Sequence, residues 1–255
     1  MGEKQGKRQG GEIVWESSGK KKLENFWFYH KWHLLIGLLV VVVVLVCVLQ
    51  SRENKNSDVT LLLAGPYRLS ATEKTAIEDA LSALLPEEYN GDGEKVAETV
   101  ALTVFSDEQV AEQEAAMNGA VTDASGAVTL PYSGYFSATH NADQIDSFHN
   151  LIAAGEYSVC LVDPWLYESV KANGGFRKLS EVCGGAVPAG AIDEYGVRFS
   201  ETALYKQNPE VFGVLPENTI LCLRTQSVMG SVFSHGKTEK LYARSEALFR
   251  VMVQP

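Results

Sequence analysis

The chain has 255 residues, 45% of them hydrophobic, and a formal net charge of −10. Residues 1–50 hold seven Lys/Arg against four Asp/Glu, while residues 51–255 hold fifteen against twenty-eight, so the acidity belongs to the C-terminal four-fifths. That acidity excludes the basic footprint that nucleic acids and anionic lipid surfaces require, and reads first as solubility.

Residues 1–20 are rich in Gly, Lys and Glu and read as a disordered basic tail. Leu34–Leu49, LLIGLLVVVVVLVCVL, carries no charge. As a helix it spans about 24 Å, and Trp32, His33 and Gln50 extend it toward the ~30 Å of a hydrocarbon core. Phe26, Trp27, Phe28, Tyr29 and Trp32 form an aromatic belt, with Lys20, Lys21, Lys22 and Lys31 also on the N-terminal side. The positive-inside rule then puts the N-terminus in the cytoplasm. Val48-Leu49-Gln50-Ser51-Arg52 offers no small-x-small cleavage site, and Val46 before Cys47 does not suit a lipobox. The expected organisation is a cytoplasmic tail over 1–31, a transmembrane signal anchor over 32–50, a tether over 51–58 and an extracytoplasmic domain over 59–255.

Within that domain, Val59–Ala64 reads as a buried strand ending in the turn pair Gly65-Pro66. Ser70–Leu85 reads as a helix with Thr72 as N-cap and Ile77, Ala80, Leu81 and Leu84 on its apolar face. Thr99–Phe105 is a second strand and Asp107–Met117 a helix. Residues 119–139 read as a loop or weak hairpin. Asn141–Ala154 is a helix stopped by Gly155, followed by the strand Tyr157–Val162 and a short helix, Trp165–Ala172, broken at Gly174-Gly175. Gly184–Gly190 is a loop, Thr219–Leu223 a late strand, and Lys237–Met252 a last helix with Leu241, Leu248 and Val251 inward. The alternation predicts an α/β domain with a mostly parallel sheet flanked by helices.

Several chemical motifs are tempting. Glu88, Asn90, Asp92 and Gly93 fall in the register of a calcium loop, but its twelfth position is Thr99, and Asn-Gly and Asp-Gly are strong turn formers. Gly230 and Gly236-Lys237-Thr238 miss phosphate-loop spacing by one residue. His140, His149 and His235 match no zinc spacing, and no serine sits in a nucleophile elbow. Cys160, Cys183 and Cys222 are odd in number, and read as buried apolar thiols rather than as a bridge. Neither metal, cofactor nor catalytic group is expected. Tyr67, Asp163, Trp165 and Tyr167 lie just past the carboxyl ends of predicted strands, where open α/β sheets bind ligands. The alternative is packing, with Asp163 capping the helix that begins at Pro164.

Ala154-Gly155-Glu156, Ser158–Val162, Gly175-Phe176 and Leu179-Ser180-Glu181 follow one another as helix end, buried strand, and short helix leading to a Leu-x-Glu stop. This pattern resembles bacterial extracellular solute-binding proteins, and Val59–Leu85 resembles the opening unit of a type II periplasmic-binding-protein lobe. The resemblance implies a single-lobe, periplasmic-binding-protein-like fold on a transmembrane anchor. It also implies a non-enzymatic partner for a small molecule, a peptide or a neighbouring membrane protein. The alternatives are a cell-envelope interaction module without ligand and, third, an extracellular hydrolase.

Overall fold

The structure is a computed structural model and describes residues 18–53, 57–119, 130–134, 136–155, 157–226 and 237–253. Two compact units divide the chain, Met1–Lys55 and Asn56–Pro255. The N-terminal tail before Ser18, most of the 119–139 loop, the phosphate-loop glycines Gly230 and Gly236, and His235 fall outside the described residues.

In the first unit, α1 (Ser18–Glu53) is a single helix. Its span Phe26–Val46, 21 residues, is long and apolar enough to cross a membrane. The described side chains from Leu35 to Val46 are exposed, as an unbroken apolar run must be when no protein layer covers it. The helix begins before Lys20 and runs past Arg52, so tail, span and the start of the expected tether are one element.

The second unit is a five-stranded mixed sheet flanked by helices, with order β2-β1-β3-β5-β4 among the described residues. The strands are β1 (Val59–Gly65), β2 (Ala97–Thr103), β3 (Val159–Val162), β4 (Gly196–Arg198) and β5 (Ile220–Leu223). β1 runs parallel to β2 and β3, but β5 is antiparallel to both β3 and β4, which corrects the expectation of a mostly parallel sheet. A strand buried on both faces is uniformly apolar, so ILCL reads the same whichever way it runs. Val59, Leu61 and Leu63 of β1 enter one apolar cluster, and Leu62 and Ala64 enter the other, so the sheet is covered on both sides. Each such leucine taken from water contributes about 1.5–3 kcal/mol.

One face is covered by α2 (Ala71–Leu84) and α9 (Lys237–Val253), with α7 (Ala203–Gln207) and α8 (Pro209–Phe212) beside them. The other is covered by α4 (Ala138–Ala154) and α5 (Pro164–Lys171). α3 (Asp107–Gly119) follows β2, and α6 (Leu179–Val182) follows α5. The N-cap of α2 is Ser70, not Thr72: Ser70 Oγ accepts from Glu73 N at 3.3 Å and Glu73 Oε2 accepts from Ser70 N at 2.7 Å. This is a reciprocal capping box, and its bonds hold the Glu73 carboxyl below the usual glutamate range. Gly155 ends α4 at φ 79°, in the left-handed region where a side chain is strained.

β2 begins two residues earlier than expected because α2 reaches its start. Ser82 Oγ accepts from Ala97 N, and Glu78 Oε1 accepts from both Thr99 N and Thr99 Oγ1. At the other end, the Asn141 amide takes both the N–H and the C=O of Phe105. These side chains occupy backbone groups on the outer side of an edge strand. In α9 the inward face is Tyr242, Leu248, Phe249 and Met252, while Leu241 and Val251 are 37% and 40% exposed. Of the three residues expected to face inward, Leu248 does so, while Leu241 and Val251 give way to Tyr242 and Met252. Asp58, assigned to the tether, belongs to the domain. It is fully buried and its two carboxylate oxygens accept from Tyr89 N and Val96 N, each at 2.9 Å.

Candidate functional site

Strand order singles out one place on this sheet. β2 lies on one side of β1 and β3 on the other, so the loops after β1 and β3 part at their carboxyl ends. Such a switch point is where open α/β sheets have a crevice. Here the switch point falls between residues 65–67 and 163–165.

Local sequence builds both walls. Gly65 lets the chain fold back: a Cβ there would sit 2.5 Å from Tyr67 Cε1. Tyr67 is therefore tucked over the strand end, 4% exposed. Its main-chain oxygen accepts from Thr103 Oγ1 at 3.0 Å. On the other wall, Asp163 N donates to Ala64 O, joining β3 to β1. Asp163 Oδ1 accepts from Trp165 N at 3.1 Å, with Pro164 in the first turn of α5, so the capping role is real. Asp163 Oδ2 accepts from Gln109 Nε2 at 2.9 Å. Burial raises the Asp163 carboxyl above its ordinary value, and these two bonds pull against that rise.

Two polar atoms at this edge lack any partner. Tyr67 Oη and Trp165 Nε1 are both buried and neither has a hydrogen-bond partner. Burial, with the Asp163 carboxylate nearby, pushes the Tyr67 hydroxyl well above its usual range. A buried donor without an acceptor costs about 1–3 kcal/mol. Buried polar groups are paired as a rule, and among the described residues these two atoms are exceptions.

The structure thus brings Tyr67, Asp163 and Trp165 to one edge and leaves Tyr167 out. Tyr167 is fully buried, stacked on Phe176 with ring centroids 5.1 Å apart. Its hydroxyl donates to Asp193 Oδ1 at 2.5 Å, on a carboxylate that also accepts from Lys171 Nζ and from the Tyr195 and Gly196 amides. Those bonds outweigh burial and leave the Asp193 carboxyl lowered. This network fixes the turn into β4.

Sequence reasoning missed the chain that covers the edge. Gly134 N donates to Pro66 O and Arg68 N to Ser133 Oγ, each at 3.3 Å. A Cβ at Gly134 would meet Phe105 Cζ and Thr103 Cγ2 at 2.8 Å, so only glycine approaches this closely. Gln113 Nε2 donates to Tyr132 O at 3.2 Å, and Tyr132 Oη donates to Glu112 Oε2 at 2.5 Å, which pushes the Tyr132 phenol up to about 12. A pocket of about 570 Å³ lies alongside, lined by Gln113, Met117, Leu130, Gly134 and Phe136 among others. One signal was available: Ser106 and Gln109 form a second reciprocal capping box, readable as Ser-x-x-Gln.

The remaining candidates resolve as turns and core. Asp92 N donates to Asn90 Oδ1 and Glu94 N to Asp92 Oδ1, each at 2.9 Å, with Gly91 and Gly93 at φ 85°, the geometry of successive Asx turns. Among the described residues no group of three or more His, Cys, Asp or Glu is placed to hold a metal ion. Cys160 and Cys222 lie opposite each other across β3 and β5 as free, buried thiols, and Cys183 is also free and buried. Burial, together with the Cys160 thiol beside it, raises Cys222 well above its usual range. No family model, curated protein or solved structure matches the chain.

Proposed function

We propose that the chain is a membrane-anchored extracytoplasmic binding domain, similar to one lobe of a periplasmic solute-binding protein and without catalytic activity. Its site is the crevice between residues 65–67 and 163–165. The observation that carries this reading is the pair of buried, unpartnered polar atoms on Tyr67 and Trp165, at the switch point of a β2-β1-β3 sheet. α1 serves as the anchor, with the N-terminal lysines on the cytoplasmic side. Thermal-shift screening of the detergent-solubilised full chain against sugars, peptides and metal ions tests the site. A shift that disappears in Tyr67→Phe and Trp165→Phe supports the reading, and a shift that survives both substitutions removes the crevice from it.

A second reading is favoured by the segment 130–134, which lies over the same edge through Pro66 and Arg68. On that reading the edge is finished by the chain itself, and the domain docks onto a neighbouring membrane protein without a small ligand. In-membrane crosslinking from a photoreactive residue replacing Glu114, beside the 570 Å³ pocket, would then give a discrete partner adduct.

A further inference from the structure

We infer that Cys160 and Cys222 are the two halves of a cross-strand disulfide that clasps β5 to β3 when the domain folds in an oxidising medium. The two stand directly opposite each other in the antiparallel pair of β3 and β5. Two residues along, Arg224 N donates to Ser158 O at 2.8 Å, so the Cys160 and Cys222 positions also fall in the hydrogen-bonded phase of the ladder. Such a pair has its Cα atoms about 5.5 Å apart. A disulfide spans roughly 4.4–6.8 Å between Cα atoms, so the backbone already stands at bridging distance.

The side chains meet on one face of the sheet. Both cysteines are fully buried and belong to the apolar cluster under α4 and α5. Cys222 Sγ donates to Cys160 O at 3.6 Å. Burial, with a hydrogen bond to the Cys160 thiol, holds Cys222 as the neutral thiol. Cys183 belongs to the cluster on the opposite face, with the sheet between. Three cysteines in this unit allow one bridge, and the fold chooses its members.

The bond forms by exchange with a small-molecule disulfide such as oxidised glutathione. One cysteine thiolate attacks the S–S bond of the oxidant and expels one thiolate. The other cysteine attacks the resulting mixed disulfide and expels the second. Each expelled thiolate takes up the proton that a cysteine gave up. Two protein thiols are thus oxidised to one disulfide, and one oxidant disulfide is reduced to two thiols. Only a thiolate attacks, and neither cysteine is exposed in the finished sheet, so the exchange belongs to the interval before β5 is fully seated. The closed loop runs from residue 160 to residue 222 and contains α5, α6, α7, α8 and β4. Closing it restricts the unfolded chain and so stabilises the fold. That the bridge is closed in the cell rests on the extracytoplasmic placement proposed above, since cytoplasmic thiols are kept reduced.

The test is refolding of the reduced, detergent-solubilised full chain from urea in a glutathione redox buffer. Circular dichroism confirms that each sample has refolded. Alkylation in urea and peptide mapping without reduction then locate the bridge. The expected product is one linked peptide pair joining Cys160 to Cys222, with Cys47 and Cys183 alkylated. Its urea midpoint is expected to lie above that of the fully reduced chain, a difference lost in Cys222→Ala and kept in Cys183→Ala. Refolded chain with Cys160 and Cys222 both alkylated, or with a bridge to Cys183, overturns the inference. The same mapping is applied to protein trapped in intact cells with a membrane-permeant maleimide. A bridge found there supports both the inference and the placement. A bridge formed on refolding but missing in cells leaves the inference standing and overturns the extracytoplasmic placement.

Discussion

Single side chains here divide into those with every bond made and those with one missing, and the two kinds respond oppositely to removal. The Tyr67 hydroxyl lacks an acceptor, so Tyr67→Phe is expected to leave the urea midpoint of the unliganded domain unchanged or raised. A loss above about 1 kcal/mol would show that the hydroxyl has a partner after all. Asp58 is the contrast. Fully buried, it takes two backbone N–H groups, and Asp58→Ala strands both, with an expected cost of about 2–4 kcal/mol in the same assay. Asp193 sets a pH dependence. Its folded carboxyl is lowered, so its contribution is complete above the ordinary aspartate range near about 4 and is lost as pH falls through the folded value. Stability should therefore drop on acidification below that range, and Asp193→Asn should flatten that part of the curve. A curve identical in both proteins would assign the drop to other carboxylates.

At the scale of elements, the last helix gives the sharpest test. Phe249 is fully buried and Leu241 is 37% exposed. Phe249→Ala is expected to cost about 3–5 kcal/mol and Leu241→Ala about 0.5 kcal/mol or less. Equal costs would mean that the face is assigned wrongly. The apolar pattern places α9 and its inward Leu248 but misassigns Leu241 and Val251, because they look as apolar as the residues that are buried. Tyr242 carries a polar tip and was passed over, yet its hydroxyl donates to Arg224 O inside the fold. Strand positions were legible wherever an apolar run was bounded by Gly, Pro or Asp, as at Gly65-Pro66 and Asp163-Pro164. Strand direction was not, since a run buried on both faces carries no sign of it. β4 was invisible: three residues beginning with Gly196 hold no period, and they are placed by Asp193 and by pairing with β5. Of the four candidates, the positions of Tyr67, Asp163 and Trp165 at one sheet edge were legible because each follows a strand end. Tyr167 looked equivalent, but two residues along α5 from Trp165 it is turned inward onto Phe176.

The molecule as a whole joins an apolar helix to an acidic globular unit, and the proposed orientation is drawn from the charge of the N-terminal segment. If the basic end of α1 stays in the cytoplasm, a cysteine introduced at exposed Glu210 should react with a membrane-impermeant maleimide on intact cells, while the buried Cys160 and Cys222 stay unlabelled. Labelling of Glu210→Cys only after lysis would reverse the topology.

The sheet order also sets a timetable. β4, at residues 196–198, lies on the outer side of β5, at residues 220–223, and β5 pairs with β3 in the interior of the sheet. The strand that is synthesised earlier has only a local antiparallel bridge, Val197 to Ala191, until the later one arrives. A chain emerging N-terminus first can therefore assemble β2, β1 and β3 as a parallel half-sheet, but β4 has no place in that sheet until β5 pairs with β3. The face covered by α9 stays open longer still. Assembly thus runs out of sequence order, and the outermost strand is seated only after its inner neighbour.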